Sequence, residues 1–180
     1  MMNDGGRKGS RRGAVDAEAV MALAKRVGEL VCGALGEEVV AIALYGSAAR
    51  GMARPGSDLD ILVVLHDPPR SYSKRTRQLL PLLERIRESE EYLALEASGT
   101  ALEPGFLVLS QDEARAHPPI FLDLAHEAVI LHDPSRFLER EMEAVRERMS
   151  ALGSVRRRLP DGGWYWVLKP DQQPGEIVTL

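Results

Sequence analysis

The sequence predicts an α/β domain, on three observations. Between Val15 and Leu35 the apolar residues Val20, Leu23, Val27, Leu30, Val31 and Ala34 recur at three- and four-residue steps, the period of one helix face. Val39–Tyr45 (VVAIALY) is a continuous apolar run rich in β-branched residues, the pattern of a strand buried on both faces. Asp58–Leu65 (DLDILVVL) is a second such run, and buried strands alternating with an amphipathic helix require a sheet covered by helices.

The remaining elements follow in order. Gly36 suits the C-terminal cap of the first helix, because glycine tolerates the conformations that end helices. The first strand ends at Gly46, and His66-Asp67-Pro68-Pro69 closes the second, since two prolines remove the donors a strand needs. Ser73–Glu88 has a helical stripe of Leu79, Leu80, Leu83 and Ile86, with Pro81 inside it; the proline predicts a kink or two shorter pieces. Phe106–Leu109 and Val129–Leu131 are third and fourth strand candidates. Pro134–Leu152 is a long charged helix with Phe137, Leu138, Met142, Val145, Met149 and Leu152 inward, ended by Gly153. Trp164–Lys169, Pro170–Gly175 and Glu176–Leu180 read as a terminal hairpin or extended tail.

At 180 residues and 44% hydrophobic content, one globular domain is expected. No apolar run approaches the roughly 18 to 20 residues that span a bilayer. The first fourteen residues, MMNDGGRKGSRRGA, carry a net charge of +3, leaving −7 on the rest of the chain. This stretch is too polar to pack and is expected to be a disordered tail; it lacks the apolar segment of a secretion signal. The acidic body argues against general nucleic-acid affinity. Cys32 is the only cysteine and reads as a small core residue in a reducing compartment, so a cytoplasmic protein is expected.

The chemistry concentrates in Tyr45–Val64. Side chains alternate along a strand, so Asp58 and Asp60 share one face while Leu59, Ile61 and Val63 share the other. Two carboxylates ~4 Å apart repel by roughly 4 kcal/mol at an effective dielectric near 20, so a cation between them is the economical reading. Hard oxygen ligands without a Cys or His pattern favour Mg²⁺ or Mn²⁺. Gly46 and Ser47 complement the pair: glycine permits close approach of the backbone, and exposed N–H groups at a strand-to-helix turn attract phosphate. Arg50 and Arg54 lie on the connecting segment, where phosphate contact and plain solvation are both open to them.

Gly46-Ser47, a ten-residue spacer containing Arg50-Gly51 and Ser57, and Asp58-Leu59-Asp60-Ile61-Leu62-Val63-Val64 together resemble the signature of minimal nucleotidyltransferases in the DNA polymerase beta superfamily. The specific match covers about twenty residues, with weaker similarity to roughly Ser110. The resemblance implies a short mixed β-sheet flanked by helices and two Mg²⁺ ions held by three acidic residues. It places the nucleotide phosphates at Gly46 and Ser47, with Arg50 and Ser57 beside them, and the metals at Asp58 and Asp60. Glu103 is the nearest candidate for the third catalytic carboxylate, with Pro104-Gly105 between it and the strand. The offset to Ser110 alternatively puts that position at Gly105, which has no side chain; Glu96 is a poorer substitute.

The implied reaction moves a nucleoside monophosphate from a nucleoside triphosphate onto a hydroxyl acceptor, a small molecule or a partner protein, and releases pyrophosphate. The alternative is a catalytically weak or inactive antitoxin or binding module of the same fold, acting on a partner such as a HEPN-type toxin. A metal-dependent glycosyltransferase is disfavoured because its Gly-Ser turn would be idle. The organisation expected is a tail at 1–14, the transferase domain at 15–133, and a helix plus hairpin or tail at 134–180 that serves as an acceptor-side wall or a homodimer contact. His66 and His132 belong to turns, and His117 and His126 have no companion at ligand spacing. Arg156–Arg158 before Trp164-Tyr165-Trp166 suggests helix-terminal arginines and a strand packing its aromatics, ahead of a surface for single-stranded nucleic acid.

Overall fold

The computed structural model describes residues 15–160, 163–173 and 176–179; the expected tail at 1–14, and part of the expected C-terminal tail, lie outside them. Helix α1 (Ala17–Leu35) leads into β1 (Val39–Tyr45), the short helix α2 (Gly46–Ala49) and β2 (Asp58–Leu65). Helices α3 (Tyr72–Arg87) and α4 (Glu90–Ala97) cross to β3 (Glu103–Ser110). Then come α5 (Gln111–Arg115), α6 (Ile120–Glu127), β4 (Val129–His132), α7 (Phe137–Leu152) and a hairpin of β5 (Val155–Arg158) and β6 (Trp164–Val167). The main sheet runs β3-β2-β1-β4, parallel between β2 and β3 and antiparallel elsewhere. It is the short mixed sheet flanked by helices that the sequence predicts, followed by a helical and extended C-terminal region.

Strand parity divides the core. Ile42, Leu44, Leu59, Ile61 and Val63 face α1, α3 and α4, whereas Ala41, Ala43, Leu62 and Val64 face α6 and α7, where Phe121, Leu138 and Val145 are buried. Both faces of β1 and β2 are therefore covered, which is why their sequences are continuously apolar. Among the described residues, no helix is long and apolar enough to cross a membrane.

Several boundaries differ from expectation. Helix α3 runs unbroken through Pro81; Arg77 and Pro81 both lie on its exposed face, where water can take the carbonyl that proline leaves without a donor. Its buried stripe is Leu79, Leu82 and Ile86, while Leu80 is 52% exposed. Strand β3 begins at Glu103 and includes Pro104 and Gly105, tolerable because β3 is an edge strand. Helix α7 starts at Phe137 and not Pro134, because the Asp133 carboxylate accepts from the Phe137 and Glu139 amides at 2.8 and 2.9 Å and so caps the first turn. Arg156–Arg158 are not at a helix end: they form β5, paired in antiparallel register with Trp164–Trp166.

A buried arginine fastens the crossover to the sheet. Arg75, 6% exposed, donates to the Pro69 carbonyl at 2.5 Å and the Val108 carbonyl at 3.3 Å and forms an ion pair with Glu113. Arg75→Met leaves two carbonyls and a carboxylate without that donor, and is expected to cost about 2 to 3 kcal/mol in urea unfolding; an unchanged midpoint would contradict the assignment.

Candidate functional site

The site forms where β1 ends and β2 begins. Antiparallel register sets Tyr45 opposite Asp60, and parallel register sets Asp58 opposite Glu103 and Asp60 opposite Gly105. Beyond Tyr45 the chain turns into α2 through Gly46, whose φ is +72°. A Cβ on Gly46 would lie 2.2 Å from Asp60 Oδ2, far inside contact distance, and one on Gly105 would lie 3.7 Å from Asp60 Oδ1. The Asp60 carboxylate thus sits between two glycines, Gly46 just past the end of β1 and Gly105 on β3.

Asp58 is exposed and Asp60 half-buried. Neither carboxylate has a hydrogen bond or ion pair to any described residue. Burial, then the nearby Asp58 charge, push Asp60 above the usual carboxylate range, opposed by the Arg50 guanidinium. Burial, Asp60 and Tyr72 push the Tyr45 phenol up to about 12, so it stays a protonated hydrogen-bond donor beside the acid. Tyr45 was not singled out from sequence, although its place directly before Gly46 is a usable signal.

Glu103 is placed differently from Asp58 and Asp60. Its carboxylate accepts from Arg87 Nη2 at 2.7 Å and from the Tyr92 hydroxyl at 2.8 Å, and the Arg87 and Tyr92 hydrogen bonds hold it below the usual range. Among the described residues no three His, Cys, Asp or Glu side chains converge as a metal set. The structure therefore brings Asp58, Asp60, Gly46 and Tyr45 together, while Glu103 is engaged by α3 and α4. The donor set fits a Mg²⁺ ion of the kind that uses one or two carboxylates and completes its shell with water and substrate phosphate.

The other residues named from sequence surround this centre. Ser47 is partly exposed with no side-chain partner among the described residues. The Ser57 hydroxyl accepts from the Arg54 amide at 2.9 Å, and the Ser57 amide donates to the Arg54 carbonyl, closing the turn that leads into β2. Arg50 forms an ion pair with Glu127, lies 4.2 Å from the Trp164 ring centroid and has a buried Nε without a partner among the described residues. Arg156 reaches the same carboxylate at 3.3 Å and lies 3.8 Å from the same ring. Glu127 and its partners in the hairpin meet only through tertiary packing, and no local pattern announces them.

A model of the nucleotidyltransferase domain matches residues 23–113, just over half of the chain. No curated protein matches it. Similar solved structures include a toxin–antitoxin crystal structure with AMP-PNP, at 13% identity and TM-score 0.43, over 77% of this chain and 93% of that one. A Sulfolobus solfataricus protein described as a nucleotidyltransferase is 20% identical, with TM-score 0.44, over 71% of this chain and 96% of its own. A tri-AMPylated Shewanella oneidensis HEPN toxin in complex with an MNT antitoxin aligns at 12% identity and TM-score 0.42, over 74% and 92%.

Two outcomes test the geometry. Gly46→Ala must displace Asp60 and hold an L-residue at positive φ, and is expected to lower stability by about 1 to 3 kcal/mol; wild-type unfolding would contradict the close approach. Asp60 has a raised folded value, so its stabilising contribution is full below the ordinary aspartate range and is lost as pH rises through that raised value. At neutral pH without divalent metal, Asp60→Asn is therefore expected to melt higher than the parent, by about 2 to 4 °C per kcal/mol recovered, with the gap closing in acid. A lower Tm at neutral pH would show that the ionised acid is stabilised by something other than metal.

Proposed function

The chain belongs to the nucleotidyltransferase domain family, and on that footing we propose that it is a Mg²⁺-dependent nucleotidyltransferase that moves a nucleoside monophosphate from a nucleoside triphosphate onto a hydroxyl acceptor. The observation that carries this reading is the pair of neighbouring, unpartnered carboxylates with Asp60 lodged against the Gly46 turn. Two other half-buried acids are satisfied from within: Glu127 has two arginines and Asp123 two indole N–H groups. A fold that satisfies those acids and leaves Asp58 and Asp60 open has a use for their charge.

Each residue has a role in this reading. Asp58 and Asp60 would hold a Mg²⁺ ion, whose chemistry when bound would be to neutralise phosphate charge. The amides of the turn at Gly46 and Ser47 bind phosphate oxygens, which requires a residue without Cβ so that the backbone can approach. Tyr45 stands beside Asp60 as a hydrogen-bond donor. Arg50 adds positive charge at the edge of the site, and Ser57 holds the preceding loop in register with β2. The acceptor oxygen bonds to the α-phosphorus, its proton is released, and pyrophosphate leaves with the bonding pair.

A second reading is favoured by one observation. The position beside Asp60 on β3 is Gly105, and Glu103 is held by Arg87 and Tyr92, so a third acid reaches the pair only if those bonds open. That suits a weak or inactive member of the fold that binds a partner protein, such as a HEPN-type toxin. Incubation with α-labelled nucleoside triphosphates, Mg²⁺ and candidate acceptors separates the two. The first reading predicts acceptor labelling that falls at least about a hundredfold in Asp58→Asn and Asp60→Asn; labelling retained in Asp60→Asn removes that residue from the mechanism. Gly105→Asp, at an ordinary φ with Cβ space beside Asp60, is expected to raise the rate. Nucleotide binding without pyrophosphate release from any acceptor would favour the second reading.

A further inference from the structure

A cavity of about 390 Å³ lies beside the site, lined by Arg50, Met52, Arg54, Arg156, Arg158 and Trp164. One wall is the segment after α2 and the other is the β5–β6 hairpin, which lies outside the residues matched by the family. Four guanidinium groups meet there in a chain whose net charge is −4. Glu127 is the acid that faces them, and it is shared between Arg50 and Arg156. Arg54 and Arg158 have no ion pair or side-chain hydrogen bond among the described residues.

The lining is held in place. Asp123 on α6 accepts from Trp164 Nε1 at 3.3 Å and Trp166 Nε1 at 2.9 Å, fastening the hairpin to the domain. Trp164 in turn carries the guanidinium groups of Arg50 and Arg156 against its ring, an arrangement that orients arginine at little entropic cost. Clustered arginines on a fixed frame suit the oxygens of a phosphate. The Gly46-Ser47 turn is not part of this lining, so it leaves the cavity free for a second anion, and Arg50 joins the two: it lines the cavity and its charge is felt at Asp60.

We propose that this arginine cavity binds a phosphate group on the hydroxyl acceptor, so that the acceptors of this protein are phosphate-bearing hydroxyl compounds. The inference rests on the transferase reading for the word acceptor, but not for the anion site itself. With the hairpin as its outer wall, the cavity fixes the acceptor's charged end while the hydroxyl is presented toward the Asp58–Asp60 pair. Released nucleotide product would carry one more phosphodiester than the acceptor did.

The test is calorimetric titration of inorganic phosphate into the full chain saturated with Mg²⁺ and a non-hydrolysable nucleoside triphosphate, at fixed ionic strength. Phosphate is expected to bind the saturated protein, and the double variant Arg54→Ala/Arg158→Ala to weaken it at least about tenfold, with unchanged Tm because neither side chain is bonded. The triphosphate's own affinity is expected to be the same in parent and variant. Asp58→Asn/Asp60→Asn is expected to retain phosphate binding when titrated without nucleotide, so failure of the metal site and failure of this site read out separately. Absence of phosphate binding, or binding equal in the double variant, overturns the proposal. So does a variant that loses triphosphate affinity instead, since the cavity would then serve the nucleotide's own tail.

Discussion

The packing of the Gly46 turn onto the Asp60 carboxylate constrains everything around the site. With a Cβ 2.2 Å from Oδ2 and φ at +72°, no other L-residue fits that position without moving the acid. The contact sets where β1 stops, how α2 departs from it, and where β2 must start so that Tyr45 and Asp60 fall in register. It also brings the Gly46 backbone against a carboxylate whose charged form burial and Asp58 disfavour.

Charge is treated differently in different parts of the molecule. Arg75 and Glu113 form a clamp between crossover and sheet, and Glu127 is shared by two arginines beneath Trp164. At Asp58 and Asp60 the pattern reverses, with like charges adjacent and no partner among the described residues. Glu113 and Glu127 join separate elements through their arginines, whereas Asp58 and Asp60 meet as like charges, a repulsion that raises the cost of ionising Asp60. The arginine cavity shows the same contrast in the opposite sign: Arg156 is neutralised from within, whereas Arg54 and Arg158 line the cavity without an ion pair among the described residues.

What the sequence disclosed follows from how local each signal is. Helix α1 and strands β1 and β2 were legible because each buries its apolar pattern completely, and the shared face of Asp58 and Asp60 follows from strand parity alone. Helices α4, α5 and α6 were not: they span eight, five and eight residues, too few turns for a stripe to stand out. Pro104-Gly105 read as a break, yet an edge strand tolerates both, so β3 starts earlier than its apolar core. The direction of the Glu103 side chain depends on Arg87 and Tyr92, which reach it from two other elements, and parity cannot foresee that. The arginines of β5 read as a helix end because their pairing with Trp164–Trp166 is tertiary information.

The most direct test is a Mn²⁺ titration followed by electron paramagnetic resonance, in the presence of a non-hydrolysable nucleoside triphosphate. If the paired acids beneath the turn hold a divalent ion against phosphate, the parent protein removes free Mn²⁺ from solution as the complex forms, and Asp58→Asn does not. Equal Mn²⁺ uptake by parent and variant would contradict it, and would leave a nucleotidyltransferase fold whose two open carboxylates serve some other purpose.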